Sequence, residues 1–80
     1  MRVEVRLHAT LVAAAPGTRA GEAFPVDLPD DATLATLLDR LAIDPAAVHL
    51  VMIDGRAEPD HACPLADGAR VALFPPVGGG

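Results

Sequence analysis

From Arg2 to His8 apolar and polar side chains alternate, with Val3, Val5 and Leu7 on one side and Arg2, Glu4, Arg6 and His8 on the other. A period of two predicts a strand with one buried face. Ala13-Ala14-Ala15-Pro16-Gly17-Thr18 breaks the pattern and reads as a loop. Alternation resumes with Phe24, Val26 and Leu28 against Ala23, Pro25 and Asp27. Pro25 has no amide to give a ladder, which puts this second strand at a sheet edge, and the short loop between the two suggests an antiparallel hairpin. The period then changes. Leu34, Leu37, Leu38 and Leu41 stand at i, i+3, i+4 and i+7, one apolar stripe of a helix. Thr33 suits its N-cap, Asp30 and Asp31 the positive end of its dipole, and Arg40 the negative end. Ala42-Ile43-Asp44-Pro45 stops it, because the residue before proline resists the helical conformation. Val48 to Ile53 is a near-continuous apolar run, read as a strand covered on one or both faces. Asp54-Gly55 signals a tight turn into a short return at Arg56 and Ala57. Glu58 to Pro64 reads as a loop with Leu65 tucked beneath it. Asp67-Gly68 makes another turn, Ala69 to Phe74 a last strand, and Pro75-Pro76 closes it.

The order is strand, strand, helix, strand, short strand, strand. A sheet with one apolar face needs a cover, and one amphipathic helix supplies it. The pattern therefore predicts an α+β fold of β-grasp type, a mixed sheet of four to five strands packed on one main helix. The first strand takes the middle and the proline-bearing second strand the edge. Residues 1–76 form this domain, and residues 77–80 form a flexible glycine-rich tail.

Composition narrows the function classes. The 80 residues make one small domain, 51% hydrophobic, but only Phe24 and Phe74 are aromatic. An aliphatic core of that size leaves no room for a walled substrate pocket, so a complete enzyme active site is not expected. The net charge of −5, with six scattered arginines and no lysine, argues against nucleic acid, which needs clustered cations. The acidity either suits a protein partner with a basic docking face or only keeps the chain soluble. Cys63 is the sole cysteine, so no internal disulfide forms and a reducing compartment fits. No apolar run resembles a signal peptide or a membrane span, and the cytoplasm follows.

The chain ends Leu73-Phe74-Pro75-Pro76-Val77-Gly78-Gly79-Gly80. With Asp30-Asp31-Ala32-Thr33 ahead of the helix, Asp54-Gly55-Arg56, and Leu65-x-Asp67-Gly68-x-x-Val71, this ending resembles the MoaD/ThiS family. That family comprises ubiquitin-like sulfur carriers: the small subunit of molybdopterin synthase and the carrier of the thiamine pathway. The Leu-Phe-Pro-Pro-Val-x-Gly-Gly ending is closer to the molybdopterin branch. The resemblance implies that Gly80 forms the adenylate and then the thiocarboxylate, with Gly79 its required neighbour. Phe74, Pro75, Pro76, Val77 and Gly78 would contact the partner, Phe74 as an anchor and Val77 and Gly78 within its channel. Glycines pass through conformations that a Cβ would strain. The implied partners are an E1-like adenylyltransferase/sulfurtransferase and the molybdopterin synthase large subunit or another sulfur acceptor. ATP and magnesium would be used by the activating enzyme, with no cofactor bound by the chain itself and no catalytic side chain on it. A molybdopterin or tungstopterin pathway is expected, with the thiamine carrier and a ubiquitin-like protein modifier as alternatives. Phe74 has a second reading, core packing at a strand end. The chain departs from the family at Leu7-His8-Ala9-Thr10-Leu11, which lacks the usual aromatic after the first strand.

Other groups carry less. His61 and Cys63 stand two apart, but a metal needs three or four ligands, and His8 and His49 have no spacing to complete a set. His61 reads as a surface residue and Cys63 as packed and inert. His8 and His49 read as partly buried strand residues.

Overall fold

A computed structural model of the protein describes residues 1–76. Its strands are β1 (Arg2–Leu7), β2 (Ala23–Asp27), β3 (Leu50–Ile53), β4 (Arg56–Ala57) and β5 (Arg70–Phe74), with one α-helix, α1 (Leu34–Arg40). They form a mixed five-stranded sheet in the order β2-β1-β5-β3-β4. This is the β-grasp arrangement the hydrophobic pattern predicts. β1 pairs antiparallel with β2 and parallel with β5, and β3 pairs antiparallel with both β4 and β5. The centre therefore belongs to β5, while β1 lies inside the sheet but one place off the middle. Pro25 does sit on an edge strand. The Leu28 amide bonds the Met1 carbonyl, and by the alternation of an antiparallel pair the Pro25 nitrogen then faces the open edge, where a missing N–H removes a pairing site.

Val3, Val5 and Leu7 of β1, Val51 of β3, and Val71 and Leu73 of β5 are buried on the inner face, beneath Leu34, Leu37 and Leu38 of α1. The helix has only seven residues, about 10 Å at 1.5 Å each. It does not cover the sheet alone. Leu11, Leu28, Ile43, Val48 and Leu65, from the connecting segments, complete the core.

Several boundaries differ from the pattern. The connection between β1 and β2 is long and contains a 3-10 helix, Ala9–Ala14, whose Leu11 is buried. Packing of that one leucine orders a stretch in which no period is visible. His8 and His49 lie just outside β1 and β3, not within them, and His49 is exposed. A 3-10 turn at Pro45–Ala47 shortens β3 at its start. Leu50, half-covered Met52 and half-covered Phe74 occupy the sheet's outer face, so the apolar β3 run is covered on one face only. Asp30 and Asp31 do not serve the α1 dipole, for the first turn holds no acidic residue. The Asp30 carboxylate instead accepts a hydrogen bond from the Met1 ammonium at 3.0 Å. His61 is half-buried, and its carbonyl accepts from the Ala35 amide at the start of α1.

Candidate functional site

The family-like residues converge on the end of β5. Being central, this strand is gripped from both sides up to its last residue. The Leu73 carbonyl accepts from the His8 amide at 3.2 Å, and the Phe74 carbonyl accepts from the His49 amide at 2.8 Å. Leu73 is fully buried and fixes the strand from below. Phe74 faces the opposite way and its ring stacks on the His8 imidazole, with centroids 4.2 Å apart and planes 9° from parallel. The two readings of Phe74 are thereby separated: it is half-buried on the outer face and is not part of the core. Ordinarily such a stack contributes about 0.5–1.5 kcal/mol beyond area burial. Half-buried Pro75 and exposed Pro76 continue from there.

His8, Ala9, His49, Leu50, Phe74, Pro75 and Pro76 together line a shallow groove of about 350 Å³ at this exit. Leu50, 38% exposed, is the one exposed large hydrophobic residue among the described residues, and it pairs across the ladder with Phe74. An apolar step therefore adjoins the point where the chain leaves the domain. Val77, Gly78, Gly79 and Gly80, the residues to which the resemblance assigns the chemistry, lie outside the described residues. Of the predicted site, the structure places Phe74, Pro75 and Pro76 together and adds His8, His49 and Leu50. Sequence reasoning missed these three because strand pairing, not spacing, brings them there; the lone aromatic before Pro75-Pro76 was the only hint.

Other features of the molecule do not compete. A larger depression, about 480 Å³, lies at the far end of β1 beside Phe24 and Pro25. Its charged groups are engaged within the protein. Arg2 bonds Asp27, the Arg2 amide bonds the Asp67 carboxylate, and Glu4 lies between Arg6 and Arg70. We therefore take the smaller groove as the site. The N-terminus of α1 is also filled. The Leu34 and Ala35 amides donate to the carbonyls of Cys63 and His61, and Thr33 and Thr36 form a reciprocal capping box. With its leading donors satisfied, that helix end has none left for an anion. Cys63 is half-buried, and burial, followed by the nearby Glu58 carboxylate, pushes its thiol above the ordinary cysteine range. A thiol held protonated is a poor nucleophile. Among the described residues no three of His, Cys, Asp or Glu come together as metal ligands, and no helix is long and apolar enough to cross a membrane.

Comparison with known proteins places this architecture. The sequence matches the ThiS family over residues 11–80. No curated protein matches it. Among solved structures it is similar to small archaeal modifier protein 1 of Haloferax volcanii, at 26% identity over 95% of this chain and 98% of that one, with a TM-score of 0.72. It is similar to the H. volcanii protein HVO 2177 at 32% identity over 100% of this chain and 87% of that one, TM-score 0.65. A third likeness is to a chain of the complex of subunits 1 and 2 of molybdopterin-converting factor from Helicobacter pylori. There the identity is 26% over the whole of both chains, with a TM-score of 0.63.

Proposed function

The chain belongs to the ThiS family, and from that membership we propose that it is a sulfur carrier whose Gly80 carboxylate is activated by adenylation and converted to a thiocarboxylate. A carboxylate is a poor electrophile. In an E1-like adenylyltransferase, a Gly80 oxygen attacks the α-phosphorus of magnesium-bound ATP and pyrophosphate leaves. A persulfide sulfur then displaces AMP, and thiol cleavage of the acyl disulfide frees the thiocarboxylate, a good nucleophile at neutral pH. The chain supplies no catalytic side chain. It supplies a terminus, ATP and magnesium belong to the activating enzyme, and the reaction is assigned to the reducing cytoplasm.

One observation carries this reading: the family likeness runs through residue 80, past a domain whose central strand ends in a firmly held exit. Both flanking amides and the His8–Phe74 stack fix the base of the tail. A fixed base lowers the entropy lost when the following residues enter a partner's channel. We assign the sulfur to a molybdopterin-type (or tungstopterin-type) acceptor, the synthase large subunit, supported by the Phe74-Pro75-Pro76 ending and the likeness to the H. pylori complex. The thiamine pathway is the alternative acceptor. The likeness to an archaeal modifier protein favours a second reading, ligation of the same activated Gly80 to lysines of other proteins.

Intact-mass analysis after incubation with the activating enzyme, ATP, magnesium and a persulfide donor separates these. A gain of about 16 Da, sulfur replacing oxygen at the terminus, is the expected result, and a chain lacking Gly79 and Gly80 should show no gain. High-mass conjugates would support the modifier, and an unchanged mass would refute both.

A further inference from the structure

The cationic side chains of this protein are all of one kind. The sequence has six arginines and no lysine, and all six arginines are exposed, at surface positions where lysine ordinarily serves as well. The two residues differ in one chemical respect. A lysine amine can shed its proton and attack an electrophile, whereas a guanidinium keeps its proton in proteins.

That choice matters to a chain whose own end is made electrophilic. In the acyl adenylate of Gly80 the carbonyl carbon is open to any amine. The amine nitrogen forms a C–N bond, the C–O bond to AMP breaks, AMP leaves with the electron pair, and the amine's proton passes to water. The product is a stable amide, and the terminus is blocked. An amine on the same chain would meet the acyl group at an effective concentration on the order of millimolar.

One amine remains in these 80 residues, the Met1 ammonium. The fold engages it and sets it far from the tail. It donates to the Leu28 carbonyl at 2.7 Å and to the Asp30 carboxylate at 3.0 Å. β1 and β5 run parallel with Leu7 level with Leu73, so Met1, six residues before Leu7, lies about 20 Å back along the sheet from that row. The six residues after Phe74 span at most about 22 Å. Only a fully extended return along the sheet would bring Gly80 to its own ammonium. Other nucleophiles add little. The three histidines would lose an acyl group to water and restore the carboxylate, and Cys63 is half-buried, with the poorly nucleophilic thiol already described.

We propose that the protein is a donor-only acyl carrier: its activated Gly80 is captured neither by its own chain nor by a second copy, so it passes to outside acceptors alone, and any conjugate holds single copies and no chain of them. The proposal rests on the reading that Gly80 is adenylated and adds which acceptors are shut out.

The test uses the full-length chain with activating enzyme, ATP and magnesium and no sulfur donor, so that the adenylate is the end point. Pyrophosphate release reports activation, and intact mass and denaturing gels report covalent adducts. The unmodified chain should acylate added free lysine yet give no covalent dimer. Arg19→Lys with Arg56→Lys, both at exposed positions, keeps the charge and places two amines on the surface. That variant should give dimers joined through Gly80 and a new lysine, and unfolding curves establish that its domain is intact. Dimers of the unmodified chain at the yield of the lysine variant, through Met1 or any other residue, overturn the proposal. So does a lysine variant that acylates free lysine but dimerises no more than its parent. Either result leaves the carrier reading standing, whereas absence of pyrophosphate release from the unmodified chain overturns both.

Discussion

Ala42 is, with Ala9, one of two alanines in left-handed backbone among the described residues. Helix α1 ends in a Schellman arrangement: the Ile43 amide reaches back to the Leu38 carbonyl at 2.9 Å and the Ala42 amide to Asp39 at 3.0 Å. That geometry puts Ala42 at φ +56°, left-handed backbone in which a Cβ crowds its own carbonyl. Glycine is the usual occupant. The helix thus stops at this reversal, three residues before Pro45, which instead opens the following 3-10 turn. Ala42 is exposed, so Ala42→Gly removes strain without opening a cavity, and part of the gain is offset by the greater freedom of glycine in the unfolded chain. A net stabilisation of about 0.5–1 kcal/mol is expected, read as a higher urea midpoint at unchanged slope. Asp54 adopts φ +51° beside Gly55 at +83°, and its carboxylate accepts the Arg70 amide at 3.0 Å. The Asp-Gly pair announced that turn, whereas nothing in the letters around Ala42 announced a left-handed alanine.

Between elements, the β1–β2 pairing is reinforced at its outer end by Arg2 and Asp27, directly opposite in register. The Arg2 guanidinium, by its hydrogen bond first and its charge second, holds the Asp27 carboxyl below its ordinary 3.8. The sign follows from linkage. A carboxyl more acidic in the folded than in the unfolded chain stabilises the fold at pH values above the unfolded pKa, and that contribution fades as pH falls through the folded one. Asp27→Asn should therefore lower Tm slightly near pH 7, with the gap to the parent closing as pH drops below 3.8 and shrinking in high salt. Both side chains face solvent, so the effect is small. A gap that stayed constant through the acid range would mean that Asp27 acts by packing and not by charge.

At the scale of the whole molecule, the core is one thin layer. A domain of 80 residues has a stability of about 4–12 kcal/mol at the usual per-residue range. Leu37, wholly buried between α1 and the sheet, would take about 2–5 kcal/mol of that on truncation to alanine. Leu37→Ala should lose from about a sixth to all of the stability in guanidinium unfolding, depending on how far the thin layer relaxes. The same economy fits the open form of both depressions described above. Its inner face is consumed in staying folded.

Much was legible in advance. Period-two runs marked β1 and β2, the leucine stripe marked α1, and Thr33 its cap, because burial of one face writes a period directly into the chain. The Phe-Pro-Pro run marked the end of the last strand, because proline stiffness is a local property. Tertiary structure alone decided the rest. The parallel pairing that makes β5 central joins residues far apart in the chain, and so do the His8–Phe74 stack, the carbonyls of residues 61 and 63 on the start of α1, and the pairing of Leu50 with Phe74. Local sequence records which face of a segment is buried; only the closed sheet determines which segments become neighbours.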